Sequence, residues 1–210
     1  MSSNNVCKIC RRLGQKLFLK GEKCFSPKCP MIKKAYPPGA RKKRRKSSGS
    51  EYGWELAEKQ RLRHYYNLSE TQFRNYVKNI LKGREKVEDA GLLLIRKLEK
   101  RLDNVVYKLG FAKSRKEARQ LVSHGYFLVN SKPVNIPSFE LKKGDKISIR
   151  ETKKKKTLIK NLSVTLKNYQ PPTWLKLDKN KLEGELIGEP TKQDVGVPVD
   201  ISAIFEFYSR

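Results

Sequence analysis

Acidic residues are scarce: 21 Asp and Glu stand against 48 Lys and Arg in 210 residues, a formal net charge of +27. Such an excess opposes compaction and favours a polyanionic partner, with nucleic acid the first candidate. An anionic membrane surface is the rival. The chain has no run of about 18 apolar residues and no lone basic amphipathic helix, so no membrane partner is expected. Catalytic groups are scarce too. There is no glycine-rich phosphate loop, no nucleophile beside an obvious base and no paired carboxylate site. His64 has no second histidine or carboxylate cluster near it in sequence and reads as a polar surface residue. These absences argue against an enzyme. Met1 to Asn5 is polar and lacks the apolar stretch of a secretory signal, which points to a reducing, cytoplasmic setting.

Cysteine is absent after position 29. Those present, Cys7, Cys10, Cys24 and Cys29, lie close together, and a reducing pool opposes stable disulfides between them. One structural zinc ion is the expected cofactor. Cys7-x-x-Cys10 brings two sulfurs to a single ion, and Cys24 and Cys29 close the tetrahedron from a second loop stiffened by Pro27 and Pro30. Four thiolates leave no open coordination position, which disfavours a catalytic metal. The four-residue gap between Cys24 and Cys29 is less diagnostic than a two-residue one, and an iron–sulfur cluster stays open as the alternative. Arg11, Arg12, Lys16, Lys20, Lys23 and Lys28 make this unit a basic hook.

Met31 to Ser50 contains Pro37-Pro38-Gly39 and then six consecutive cations, Arg41, Lys42, Lys43, Arg44, Arg45 and Lys46. No core can form from such a stretch. It reads as a solvated arm that orders on RNA phosphate, with a nuclear-import signal as the alternative.

From Trp54 the apolar spacing turns helical. Trp54 to Tyr66 reads as one helix and Asn67-Leu68 as a break. Ser69 with Gln72 forms a capping box, and Phe73, Tyr76, Val77, Ile80 and Leu81 fall on one face. Arg74 and Lys78 lie on the opposite side, toward phosphate. Tyr65 and Tyr66 read as core before base stacking. A third helix is predicted from about Gly91 to Leu109, with Gly110 as its C-cap. Ser114 and Glu117 mark a second capping box before a short helix closed by Gly125. Arg115 and Arg119 are four residues apart there and, with Lys113 and Lys116, predict a basic face at a helix amino end suited to phosphate. Short strands follow at Tyr126 to Val129, Pro133 to Ile136 and Lys146 to Arg150. The fold class is therefore α+β, with two helices on a small sheet in this region.

Arg101-Leu102-Asp103-Asn104, Leu109-Gly110-Phe111-Ala112, the run from Ser114 to Asn130 and Val134-Asn135-Ile136-Pro137 resemble the S-four RNA-binding domain. The four-cysteine segment, Ser50 to Gly53 with Leu68 to Phe73, and Glu206 to Arg210 extend the resemblance along nearly the whole chain. It is that of the bacterial ribosomal S-four family in its zinc-bearing form. Tyr126, Ser131 and Phe205 depart from the usual family residues.

The resemblance implies a mainly helical domain (51–98 plus 162–210) into which the S-four module (99–161) is inserted, after a zinc-binding region and basic arm (1–50). It adds Arg101, Ser114, His124 and Lys132 to the RNA-contacting candidates. It also implies a structural role in the small ribosomal subunit: early binding of the five-prime domain of small-subunit ribosomal RNA, contact with ribosomal protein S-five, a place at the messenger-RNA entry channel, and a part in translational accuracy. Trp174 and Phe207 are expected in a core. Pseudouridine synthases also carry this module, but Asp103 here precedes it and reads as a helix-surface ion-pair partner. Only about 50 residues follow the Lys153 run, too few for a catalytic domain. A free-standing RNA chaperone would lack the hook and the helical domain.

Overall fold

The computed structural model describes residues 3–39, 50–83, 87–154, 156, 159, 162–191, 194 and 199–210. The chain divides into two compact units, residues 1–94 with 196–210, and residues 95–195.

The first unit contains α1 (Ser3–Leu13), α2 (Glu22–Phe25), α3 (Pro30–Lys33), α4 (Glu51–Tyr65), α5 (Glu70–Lys82) and the helix Ile201–Ser209. Helix α4 starts three residues before the apolar spacing predicts, because the Gly53 N–H donates to Ser50 Oγ at 3.2 Å and caps it. Helix α5 starts at its predicted box, with Gln72 N–H donating to Ser69 Oγ at 3.2 Å. Ile201–Ser209 packs on α4 and α5, and Leu62, Tyr65, Tyr66, Phe73, Val77, Ile80, Ala203, Ile204 and Phe205 are buried.

Carboxylates bind this helix in place. Lys59 Nζ donates to Glu70 Oε1 at 2.8 Å, and the Tyr208 hydroxyl donates to the same oxygen at 2.8 Å. Lys59 Nζ also lies 4.3 Å from the centre of the half-buried Phe207 ring. Arg210 reaches buried Glu55 at 2.7 Å, and the Asp200 N–H donates to Glu58 at 3.0 Å. Burial alone would raise the Glu70 carboxyl, but the hydrogen bonds from Lys59 and Tyr208 and the nearby Arg63 hold it below its ordinary value. Burial and its bond to Glu70 push the Tyr208 phenol up.

The second unit holds the end of α6 (Val87–Glu99), then α7 (Leu102–Lys108), α8 (Arg115–Ser123) and a sheet. Strands β1 (Phe127–Val129), β2 (Lys132–Pro133), β3 (Lys146–Ile149), β4 (Leu175–Asp178) and β5 (Glu183–Leu186) pair antiparallel in the order β2-β1-β3-β5-β4. Leu102, Val105, Val106, Phe111, Phe127, Ile147, Trp174 and Leu186 lie in one buried cluster.

Two expectations are corrected here. The helix predicted over 91–109 is two helices, broken at Lys100–Arg101. The first N–H groups of α7 turn to the loop instead: Leu102 N–H donates to Phe139 O at 2.8 Å and Asp103 N–H to Pro137 O at 3.2 Å. Those carbonyls replace a side-chain cap, for which the Arg101 N-cap has no acceptor. The apolar stripe continues across the break and conceals it.

Second, residues 162–195 belong with the inserted unit rather than with the helical one. Strands β4 and β5 extend its sheet, pairing β5 to β3 with Ile147 opposite Gly184. Glycine is required there, since a Cβ on Gly184 would collide with the Leu109 side chain. The chain returns to the helical unit at residues 196–210, which carry the helix Ile201–Ser209.

His64 is half-buried rather than a free surface group. Burial first, then the Arg63 and Arg12 charges, outweigh Glu70 and lower its pKa to about 4. In the unfolded chain it would titrate near about 6.5. Below that pH the unfolded chain takes up a proton that the folded chain refuses, so this contribution is present above about 6.5 and is lost as pH falls toward 4. Urea midpoints at neutral and mildly acid pH should therefore drop for the native chain and drop less for His64→Gln; equal drops would remove His64 as the cause.

Candidate nucleic-acid interface

The first turn of α8 is built by its cap. Glu117 N–H donates to Ser114 Oγ at 3.3 Å, and Glu117 Oε2 accepts from Lys113 N–H at 2.8 Å. Ser114, expected among the RNA contacts, is buried, with its hydroxyl taken up in this cap.

Arg115 and Arg119 do not project together as their spacing predicts. Arg115 is 6% exposed, its Nε donates to Asn104 Oδ1 at 2.9 Å, and its guanidinium lies 4.5 Å from the centre of the Tyr107 ring. Asn104 in turn donates to Glu99 Oε2 at 2.6 Å. The arginine ties α8 to α7 and the end of α6. The reason is register, because position 115 shares the inward side of α8 with Ala118 and Val122. Arg101, also expected among the RNA contacts, is drawn inward as well. It is 1% exposed and donates to both Asp103 oxygens, at 3.0 and 2.7 Å. Asp103 is therefore a buried partner, not a helix-surface one.

Lys113, Lys116, His124 and Lys132 are exposed and Arg119 is half-buried. They sit at the start of α8, along it, at its C-cap and on β2. Outward ammonium groups on a braced helix can meet phosphate oxygens and position a partner without reading its bases.

In the helical unit, Arg12 is exposed and Arg74 and Lys78 are exposed one turn apart on α5. Arg11 behaves differently. Its Nε donates to the carbonyls of Lys34 at 2.8 Å and Tyr36 at 2.9 Å, and its guanidinium lies 5.0 Å from the Tyr36 ring centre. It straps the segment after α3. Arg41, Lys42, Lys43, Arg44, Arg45 and Lys46 lie outside the described residues.

Cys7, Cys10, Cys24 and Cys29 line one small pocket together with Lys16 and Lys20. All are free thiols, and Lys20 N–H donates to Cys24 Sγ at 3.3 Å. Burial pushes the Cys10 and Cys24 thiols up, backbone donors at Leu17 and Lys20 oppose it, and the neighbouring sulfurs add to it. Among the described residues, no group of three or more His, Cys, Asp or Glu is set to hold a metal ion. Sequence reasoning passes over Phe25, which is 70% exposed beside these cysteines. Its signal is an aromatic between Lys23 and Lys28 in a helix of four residues.

Known proteins match this chain along its length. Residues 2–99 match the family model described as ribosomal protein S4/S9 N-terminal domain, and residues 100–147 match the S4 domain. Small ribosomal subunit protein uS4 of Natranaerobius thermophilus is 45% identical over 98% of this chain and 97% of its own length. The protein of the same name from Syntrophomonas wolfei is 44% identical over 99% and 98%, and that of Thermus thermophilus 43% over 98% and 97%. Since the two family models follow one another over residues 2–147 and relatives of one name match nearly the full chain, the chain belongs to the uS4 family of small ribosomal subunit proteins.

Proposed function

We propose that the chain is a structural, non-catalytic component of the small ribosomal subunit that binds folded small-subunit ribosomal RNA. One observation carries the reading: inward arginines and carboxylates brace α7 and α8, while Lys113, Lys116, His124 and Lys132 stay exposed. A stiff, outwardly cationic helix suits a shape-dependent grip on RNA backbone, where the deep groove is closed to side chains. The finer reading follows the family resemblance. The ligand is the five-prime domain of that RNA, bound early so as to nucleate assembly. Neighbouring contacts are with ribosomal protein S-five and messenger RNA at the entry channel, with a consequence for translational accuracy, in the cytoplasmic ribosome.

We propose further that the four cysteines take up a structural zinc ion: they line a single pocket and are the right donor type, although their sulfurs are not set around an ion as they stand. Bound there, the ion would supply a cross-link between α1, which carries Cys7 and Cys10, and Cys24 of α2 with Cys29 at the N-cap of α3, and a positive charge that favours the thiolate forms.

Binding to the five-prime-domain RNA, titrated with salt and competed with transfer RNA, tests the function. The ribosomal fragment should win by about a thousandfold or more. Replacing Lys113, Lys116 and Arg119 by Ala together should weaken binding and flatten its salt slope, by about 0.9 for each duplex phosphate no longer neutralised. Arg101→Ala should instead cost about 3–5 kcal/mol of stability by stranding buried Asp103. Equal binding of both RNAs with unchanged slopes would reduce the chain to a generic polycation. For the metal, chelation should release one zinc per chain and loosen residues 3–39 in hydrogen exchange, with α4 and α5 still protected. Melting of the whole helical unit would make the hook part of the main core, and no release would remove the metal.

A further inference from the structure

The stretch between Cys24 and Cys29 begins with an aromatic ring left largely open to solvent. Phe25 is 70% exposed, more than the other large hydrophobics among the described residues. It is not isolated: its ring stacks on Phe18, centroids 5.0 Å apart and planes 27° from parallel. One face of Phe25 is thus backed by a second ring and the rest is open. Phe18 itself has a left-handed backbone, φ 53, a conformation uncommon for a side chain without a short polar group. Lys16 Nζ lies over the Phe18 ring, 5.4 Å from its centre, so a cation stands next to the pair. Between positions 16 and 28 the sequence also carries Lys20, Lys23 and Lys28, against Glu22 alone on the acidic side.

We infer that Phe25, backed by Phe18, is a stacking platform for an unpaired RNA base whose flanking phosphates are met by Lys16, Lys23 and Lys28. Resting on the RNA-binding reading above, it adds a contact of a different kind. Phosphate contacts are indifferent to pairing, whereas stacking on a ring needs a base with an open face. Bases inside a duplex have both faces covered by their neighbours, so the occupant is a bulged, looped or junction nucleotide. Charge complementarity favours RNA over an apolar protein surface, since burying Phe25 against such a surface would also strip water from Lys23 and Lys28.

The test uses the full-length chain with Phe25→Ala, Phe25→Leu and Phe25→Trp. Because the ring is exposed, none of these should disturb folding. Against the five-prime-domain RNA, Phe25→Ala should bind about tenfold to a hundredfold more weakly with an unchanged salt slope. Phe25→Leu should resemble it, and Phe25→Trp should bind like the native chain. After subtraction of the emission from Trp54 and Trp174, the new indole should be quenched by a short single-stranded RNA and not by the same strand in a duplex. Native affinity in all three variants, or full rescue by Leu without quenching, would overturn the inference and point to a protein neighbour instead. If the native chain showed no preference for the ribosomal fragment while the indole was still quenched by single strands, the ribosomal reading would fall and the stacking platform would stand.

Discussion

Scarcity of negative charge is the constraint on which the structure depends. With 21 carboxylates against 48 cations, each acid has many suitors, and the fold places several acids at its joints. Glu55 and Glu58 are buried and reach across to Arg210 and the Asp200 backbone, and Glu70 collects Lys59 and Tyr208. In the second unit Asp103 takes Arg101, Glu99 takes Asn104, and Asp145 takes Lys142 N–H. The Arg101–Asp103 pair is buried on both sides and screened little by salt, so removing one partner strands a charge in low dielectric, whereas the Glu70 and Arg210 pairs each have one half-exposed partner and are screened more.

The same constraint shapes the surface. With acids held at these joints, α5 exposes Lys78 and α8 exposes Lys116, and on each unit such cations attract a polyanion. Arg101 and Arg115 belong to the frame, and their value to binding is the rigidity they give the helix that carries Lys116. Affinity and stability thus draw on different cations, which is why the arginines of one short run cannot be treated alike.

Much of this was legible in the chain. Capping boxes at Ser69 and Ser114 fixed two helix starts because a hydroxyl and a glutamine or glutamate three residues on are local chemistry. The core stripe of α5 followed from spacing alone. Other features depended on distant partners. The break before α7 is satisfied by carbonyls at Pro137 and Phe139, some 35 residues away, and the apolar stripe runs through it undisturbed. Strands β4 and β5 have four residues each and join the sheet through β5, which pairs with β3 on one side and β4 on the other, so alternation over so short a span carried little signal. Arg115 looked outward because periodicity marks apolar faces, and an arginine folded onto Tyr107 and Asn104 leaves no apolar mark.

The melting temperature of the free chain against chloride concentration at neutral pH tests the central claim most directly. Raising ionic strength from 0.01 to 0.15 M shortens the screening length from roughly 30 Å to about 8 Å. Screening weakens repulsion among exposed cations and leaves the buried pairs nearly untouched, so the melting temperature should rise over this range. A melting temperature that falls would mean that exposed ion pairs, rather than buried carboxylates, hold the fold against its own charge.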